Sequence, residues 1–299
     1  MMKKILIFLT FTILLSSCSS MPKDEQDLTV SIIKTKSAMQ LERGNNEYRW
    51  NNYDSALALY SKALSSSSSV DWQPGVIRSL VQISRTLDQL KQAEKSRQYA
   101  LAARGFRESI ENKALNILTQ NRIAEWYYFQ DDINKSLTLI DQAILQGKNL
   151  ESEEAGETWR IKASILKKKE NYEAALSAID EAVNLDKKGL FLGELASDYY
   201  IKSSLLSLSG KYPEAVVSME AALEKDKFIE NSSGIAMDLY GLGKIHEKNG
   251  NSDKALEYYN RLYLFYLGSN NTIPDFLLDA INSLTNKENW LAEIEWPLS

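Results

Sequence analysis

The sequence predicts an all-α fold built as an array of short helical repeats. Three observations predict it. A 13-residue pattern recurs six times along the chain. Its two small-residue columns stand four residues before and three after a larger one, which places all three on one helix face. The chain is also 299 residues long and 44% hydrophobic. That is enough apolar side chain for a core, but a single core of this size would sit near the upper limit, so several units are expected.

The first element is the amino-terminal segment. Lys3 and Lys4 precede an apolar run from Ile5 to Leu15, broken only by Thr10 and Thr12. The run is too short to span a bilayer, which takes about 20 residues. A positive start, a short apolar centre and small residues at the exit predict a secretory signal peptide over residues 1–17. Cys18 is the single cysteine, so it can make no internal disulfide and no multi-cysteine metal site. Leu15-Ser16-Ser17-Cys18 resembles the lipobox of bacterial lipoproteins. The resemblance implies cleavage before Cys18, a diacylglycerol on its thiol and an acylated amino terminus; two or more acyl chains anchor stably. The alternative is an ordinary signal peptide with a chance cysteine at its end. Ser19, rather than Asp, follows the cysteine and by analogy favours an outer-membrane location in a bacterial cell envelope. Residues 18–30 are then the lipidated cysteine and a flexible, polar tether.

The repeats follow, over residues 31–268. Residues 52–64 (NYDSALALYSKAL), 171–183 (NYEAALSAIDEAV), 211–223 (KYPEAVVSMEAAL) and 251–263 (NSDKALEYYNRLY) are the clearest copies. Residues 89–101 (QLKQAEKSRQYAL) and 132–144 (DINKSLTLIDQAI) are weaker ones. The fifth column reads Ala56, Ala93, Ser136, Ala175, Ala215 and Ala255, and the twelfth Ala63, Ala100, Ala143, Ala182, Ala222 and Leu262. Between them the ninth reads Tyr60, Arg97, Ile140, Ile179, Met219 and Tyr259. Small residues let a neighbouring helix approach, and the larger ninth side chain fills the space beyond. The serine run Ser65–Ser69 is expected as a loop.

This pattern resembles the second helix of a tetratricopeptide repeat. Five of the copies are preceded by a matching first helix, four of these with Gly44, Ala124, Ala163 or Gly243 at the family's small position 8. The resemblance implies a right-handed α-solenoid of about six helix pairs with an extended concave face. Fifth-column spacings of 37, 43, 39, 40 and 40 exceed the standard period of about 34. HEAT-type repeats share the longer period but lack the small columns. Residues 269–299 break the pattern; "PDFLLDAINSLTN" after the turn predicts a capping helix, with Pro274 at its start. Trp290 and Trp296 then pack on the cap or extend past it.

The residues speak against an enzyme. His246 is the single histidine and falls at a packing position, so histidine-dependent triads and His-rich zinc sites are excluded. No phosphate-binding glycine loop or EF-hand loop occurs, and no cofactor is expected. The acidic pairs Glu153–Glu154 and Asp131–Asp132 read as solvated helix ends. Formal charge is −5, and removing residues 1–17 takes two lysines with it. An acidic chain argues against nucleic acid as a partner.

The family's ligands contact first-helix positions on the concave face. Carried onto this chain, they give Arg49, Arg78, Arg85, Asn121, Arg122, Tyr128, Arg160, Lys167, Tyr200 and Tyr240. Arg78 is assigned to position 5 and Arg85 to position 12. Such a basic groove suits an extended peptide or an acidic carboxy-terminus; the alternative is a solvated helix face. On "LEYYNRLYLFYLG", Tyr258, Phe265 and Tyr266 either pack under the cap or form an interface. The expected function is a membrane-anchored scaffold that binds an envelope or periplasmic protein or peptide. The rival is an accessory subunit of a periplasmic small-ligand uptake system, partnering a solute-binding protein through an apolar channel. Homo-oligomerisation is left open.

Overall fold

The computed structural model describes residues 23–107, 111–269 and 272–285. The signal segment, Cys18, Trp290 and Trp296 lie outside them. Among the described residues there are thirteen helices and no strand. Twelve form six pairs: α1 (Lys23–Arg49) with α2 (Tyr53–Ser69), α3 (Gln73–Gln89) with α4 (Ala93–Arg107), and α5 (Lys113–Phe129) with α6 (Ile133–Gln146). They continue with α7 (Glu153–Lys168) and α8 (Tyr172–Gly189), α9 (Leu192–Leu208) and α10 (Tyr212–Phe228), and α11 (Ser232–Lys248) and α12 (Ser252–Gly268). A last helix, α13 (Asp275–Thr285), packs on α12 and caps the array.

Local chemistry sets the helix ends. Asn112, Asp132, Ser152, Asn171 and Asn251 each accept a backbone N–H at the start of a helix, satisfying donors the helix leaves open. The turn inside each pair places one residue in the left-handed region: Asn51, Lys91, Asp131, Glu170, Gly210 and Gly250.

Burial confirms the columns in five repeats and corrects the second. Ala56, Ser136, Ala175, Ala215 and Ala255 are buried at the fifth column. In α4 the buried face is Ser96, Ala100 and Ala103, while Arg97 is exposed. The register expected for α4 is therefore three residues early. Ser96 is its fifth-column residue, and the period becomes 40, 40, 39, 40 and 40. Serine hid the column because its hydroxyl had to be satisfied inside. Ser96 Oγ pairs with Ser84 Oγ at 3.2 Å, and Ser136 Oγ donates to the carbonyl of Ala124 at 2.8 Å.

Two further expectations change. Ser65–Ser69 is no loop: it forms the last turns of α2, and buried Ser67 meets Ser37 hydroxyl to hydroxyl at 2.6 Å. Helix α1 already begins at Lys23, inside the stretch expected as tether.

The curvature follows from the contacts. Each first helix packs closely on the first helices on either side, whereas among the described residues the second helices stand further apart, Tyr258 of α12 reaching Glu220 of α10 only through its side chain. First helices therefore line the inside of the curve. Helix α11 also touches α1, so the six first helices form a closed ring. Trp50, just past α1, packs against the carboxy-terminal core that includes Leu242 and Tyr259. Each Ile or Leu fully buried in such junctions stabilises the fold by about 1.5–3 kcal/mol.

Candidate functional site

Inside the ring, α1, α3, α5, α7 and α9 enclose a cleft of about 170 Å³. Its apolar floor is Leu41, Val81 and Leu118; its walls carry Arg78, Arg85, Arg160, Glu153, Glu154, Glu157 and Glu194. The corrected register puts Val81 at position 5 of the second repeat. Arg78 is thus at position 2 and Arg85 at position 9, and both still face inward.

The guanidiniums are already engaged. Arg85 bridges Glu125 (2.9 Å) and Glu157 (2.5 Å). Burial disfavours its charge, yet the two carboxylates hold its pKa above the ordinary arginine value. Arg160 pairs with Asp186, with Glu194 (2.6 Å) and with Asp198 (3.1 Å). Arg78 pairs with Glu154 at 2.6 Å. Glu154 is thus buried and paired, not a solvated helix end as expected. Glu125 is half-buried, which opposes ionisation, but Arg85 and Arg122 beside it keep its pKa below the usual range. Glu153 goes the other way: burial, then the charges of Glu194 and Glu154, push it up.

Two expected groove residues do not reach the cleft. Arg122 is 0% exposed and lies beneath it. It pairs with Asp88 and Glu125 and donates to Ser84 and Ser96 at 2.8 and 3.0 Å. Asn121 is also interior, donating to the carbonyl of Glu154 and accepting from the Thr158 hydroxyl, both at 3.0 Å. A long polar side chain at these positions was satisfied by its neighbours rather than by solvent.

The other candidates are spread around the ring. Lys167 donates to Ser204 at 3.1 Å. Tyr128 lies under Lys168, 4.9 Å from Nζ to ring centroid. Tyr200 and Tyr240 pack against the carboxy-terminal core, Tyr240 edge-on to Phe276 of α13. Arg49 is exposed at the end of α1, and its charge acts on Asp226 of α10. On α12, Phe265 and Tyr266 are half-buried against the core that holds Leu277 and Ile281 of the cap. Tyr258 is buried, stacked on His246 at 5.5 Å and donating to Glu220 at 3.1 Å.

The acidic half of the cleft was missed in the sequence. A signal existed once the register was right. Arg85 and Glu125 occupy the same position in consecutive repeats, 40 residues apart, with opposite charge.

Residues 157–188 and 208–271 match family models described as tetratricopeptide repeat. Those two stretches are tetratricopeptide repeats. No curated protein matches it. Among solved structures it is similar to BtubC (BKLC) from P. vanneervenii, with 14% identity, a TM-score of 0.57, and 82% of this chain and 94% of that one covered. It is similar to the signal transduction ATPase with numerous domains PH0952 from Pyrococcus horikoshii, which has a tetratricopeptide repeat sensor. There identity is 13% and the TM-score 0.61, with 88% of this chain but only 42% of that one covered. A Rap protein complexed with competence and sporulation factor matches at 15% identity and a TM-score of 0.58, covering 86% and 76%. These likenesses establish a tetratricopeptide-like α-solenoid.

Proposed function

We propose that this protein is a non-catalytic interaction scaffold of the bacterial cell envelope, held to a membrane by lipid on Cys18, whose cleft binds a protein or peptide. The observation that carries the reading is the cleft itself, concave, charged and built from five first helices. Its polar walls favour a partner segment over the small ligand of an uptake system. The same fold is found in the Rap protein complexed with competence and sporulation factor. Tethering would confine the partner near the membrane and raise its effective concentration.

The ion pairs change the expected partner. Three guanidiniums face four carboxylates in the cleft, and the guanidiniums are all paired. Glu153 and Glu157 both have raised pKa values, but Glu157 is paired with Arg85, so Glu153, which forms no ion pair among the described residues, gains most from an incoming cation. A basic side chain therefore fits better than an acidic carboxy-terminus.

A pull-down from native envelope extract tests this, with wild type and Glu153→Lys as baits and circular dichroism to check both folds. A protein held by wild type and lost by the variant supports the cleft. Identical retention on both baits moves the site elsewhere. Separately, Cys18→Ala should shift the chain from the membrane pellet to the soluble fraction; an unchanged pellet would remove the lipid anchor from the reading.

A further inference from the structure

Outside the cleft, two arginines share a hollow with no carboxylate in its lining. Arg97 and Arg104 are seven residues apart on α4 and so share a face. Among the described residues neither forms an ion pair, whereas Arg78, Arg85, Arg122 and Arg160 all do. They line a hollow of about 160 Å³ between α4, α5 and α6. Ala100, Leu101, Ile123, Trp126, Tyr127 and Leu139 complete it, and no carboxylate lines it.

The hollow is built rather than incidental. The Nε1–H of Trp126 donates to the carbonyl of Ala93 at 3.1 Å, which fixes the indole. The Arg97 guanidinium lies over that indole, 5.8 Å from the ring centroid. Stacking occupies the face of a guanidinium and leaves its in-plane N–H fork open to a carboxylate. Leu101 lies between the two arginines and is 42% exposed although apolar. The charges nearby are spoken for: Lys135 is paired with Asp132, and Asp141 with Lys162.

We propose that this hollow binds the carboxy-terminal residue of a partner polypeptide. The apolar side chain sits against Leu101, Ile123 and Leu139, and the free carboxylate lies between Arg97 and Arg104. The volume supports this occupant. It is below the roughly 300 Å³ at which drug-sized ligand pockets begin, so it holds one side chain and excludes an acyl chain. The site shares no residue with the cleft and stands independently of it.

The test uses the full mature chain and a fluorescent heptapeptide pool, randomised at six positions and ending in leucine with a free carboxylate. Saturable binding is expected, weakened at least about tenfold when the pool ends in an amide and when R97A and R104A are combined. Glu153→Lys should leave it unchanged. Equal binding of acid and amide pools, absence of saturable binding, or loss in Glu153→Lys alone would each overturn the proposal. So would phosphatidylglycerol vesicles that bind through Arg97 and Arg104 and are not displaced by the peptide pool, since the occupant would then be a lipid.

Discussion

One interior position shows how strongly burial governs a carboxylate. Where the fourth and fifth repeats meet, Asp186 and Asp198 face each other and Arg160 lies between them. Forty residues on, Asp226 and Asp238 repeat the pair, but Tyr200 stands in place of Arg160. Burial, then the neighbouring Asp226, push Asp238 up to about 9, and burial raises Asp198 to about 8 even with Arg160 beside it. An unfolded aspartate titrates near pH 4. Between about pH 4 and 9 the folded chain keeps a proton that the unfolded chain has lost, so stability falls as pH rises through that window. Asp238→Asn removes the titration. Its melting temperature should gain on wild type steadily from pH 4 to 9 and then level off; parallel melting curves would count against a shared proton. Arg122 makes the opposite case. Arg122→Ala leaves Asp88 buried without its partner and should cost about 3–5 kcal/mol in urea denaturation. Lys188→Ala breaks only the exposed pair with Glu151 and should cost less than about 1 kcal/mol. These ion pairs were illegible in the sequence because their members lie on different helices.

Between helices, the rule is volume matched across each pair. Where the ninth column is tyrosine, the facing position 8 is glycine: Gly44 against Tyr60 and Gly243 against Tyr259. Where it is isoleucine, position 8 is alanine: Ala124 with Ile140 and Ala163 with Ile179. A Cβ on Gly243 would run into the Tyr259 ring, whose hydroxyl is fixed on Glu247 at 2.8 Å. Gly243→Ala should therefore destabilise by about 1–2 kcal/mol, overpacking outweighing the gain in helix propensity. Gly105 on α4 has open space where its Cβ would be, so Gly105→Ala should stabilise by up to about 1 kcal/mol. Equal responses at the two glycines would refute the matching rule. This level was largely legible. Alanine and tyrosine columns mark helix faces by themselves, whereas Ser96 and Ser84 do not, since a buried serine reads as surface until its hydrogen bonds are seen.

At the scale of the whole molecule, the repeat number and the cap followed from the sequence, and the closed ring did not. Closure depends on small rotations summed over six repeats, and no local motif records the sum. The contact that closes it is small: α1 meets α11, and Trp50 packs on the core of the last repeats. Trp50→Ala should open the ring. Small-angle scattering should then show a larger radius of gyration with unchanged helical content; an unchanged radius would mean that stacking alone sets the curvature.

Helix α1 has two ends with different tasks. One end closes the ring; the other leads toward Cys18. At 27 residues it is a rod roughly 40 Å long. If lipid on Cys18 holds the chain to a membrane, as proposed, any pull along the anchoring segment acts on the helix whose far end is the latch. Force on the anchor and access to the cleft then become one mechanical variable, and a partner pulled away from the membrane would loosen the ring that grips it.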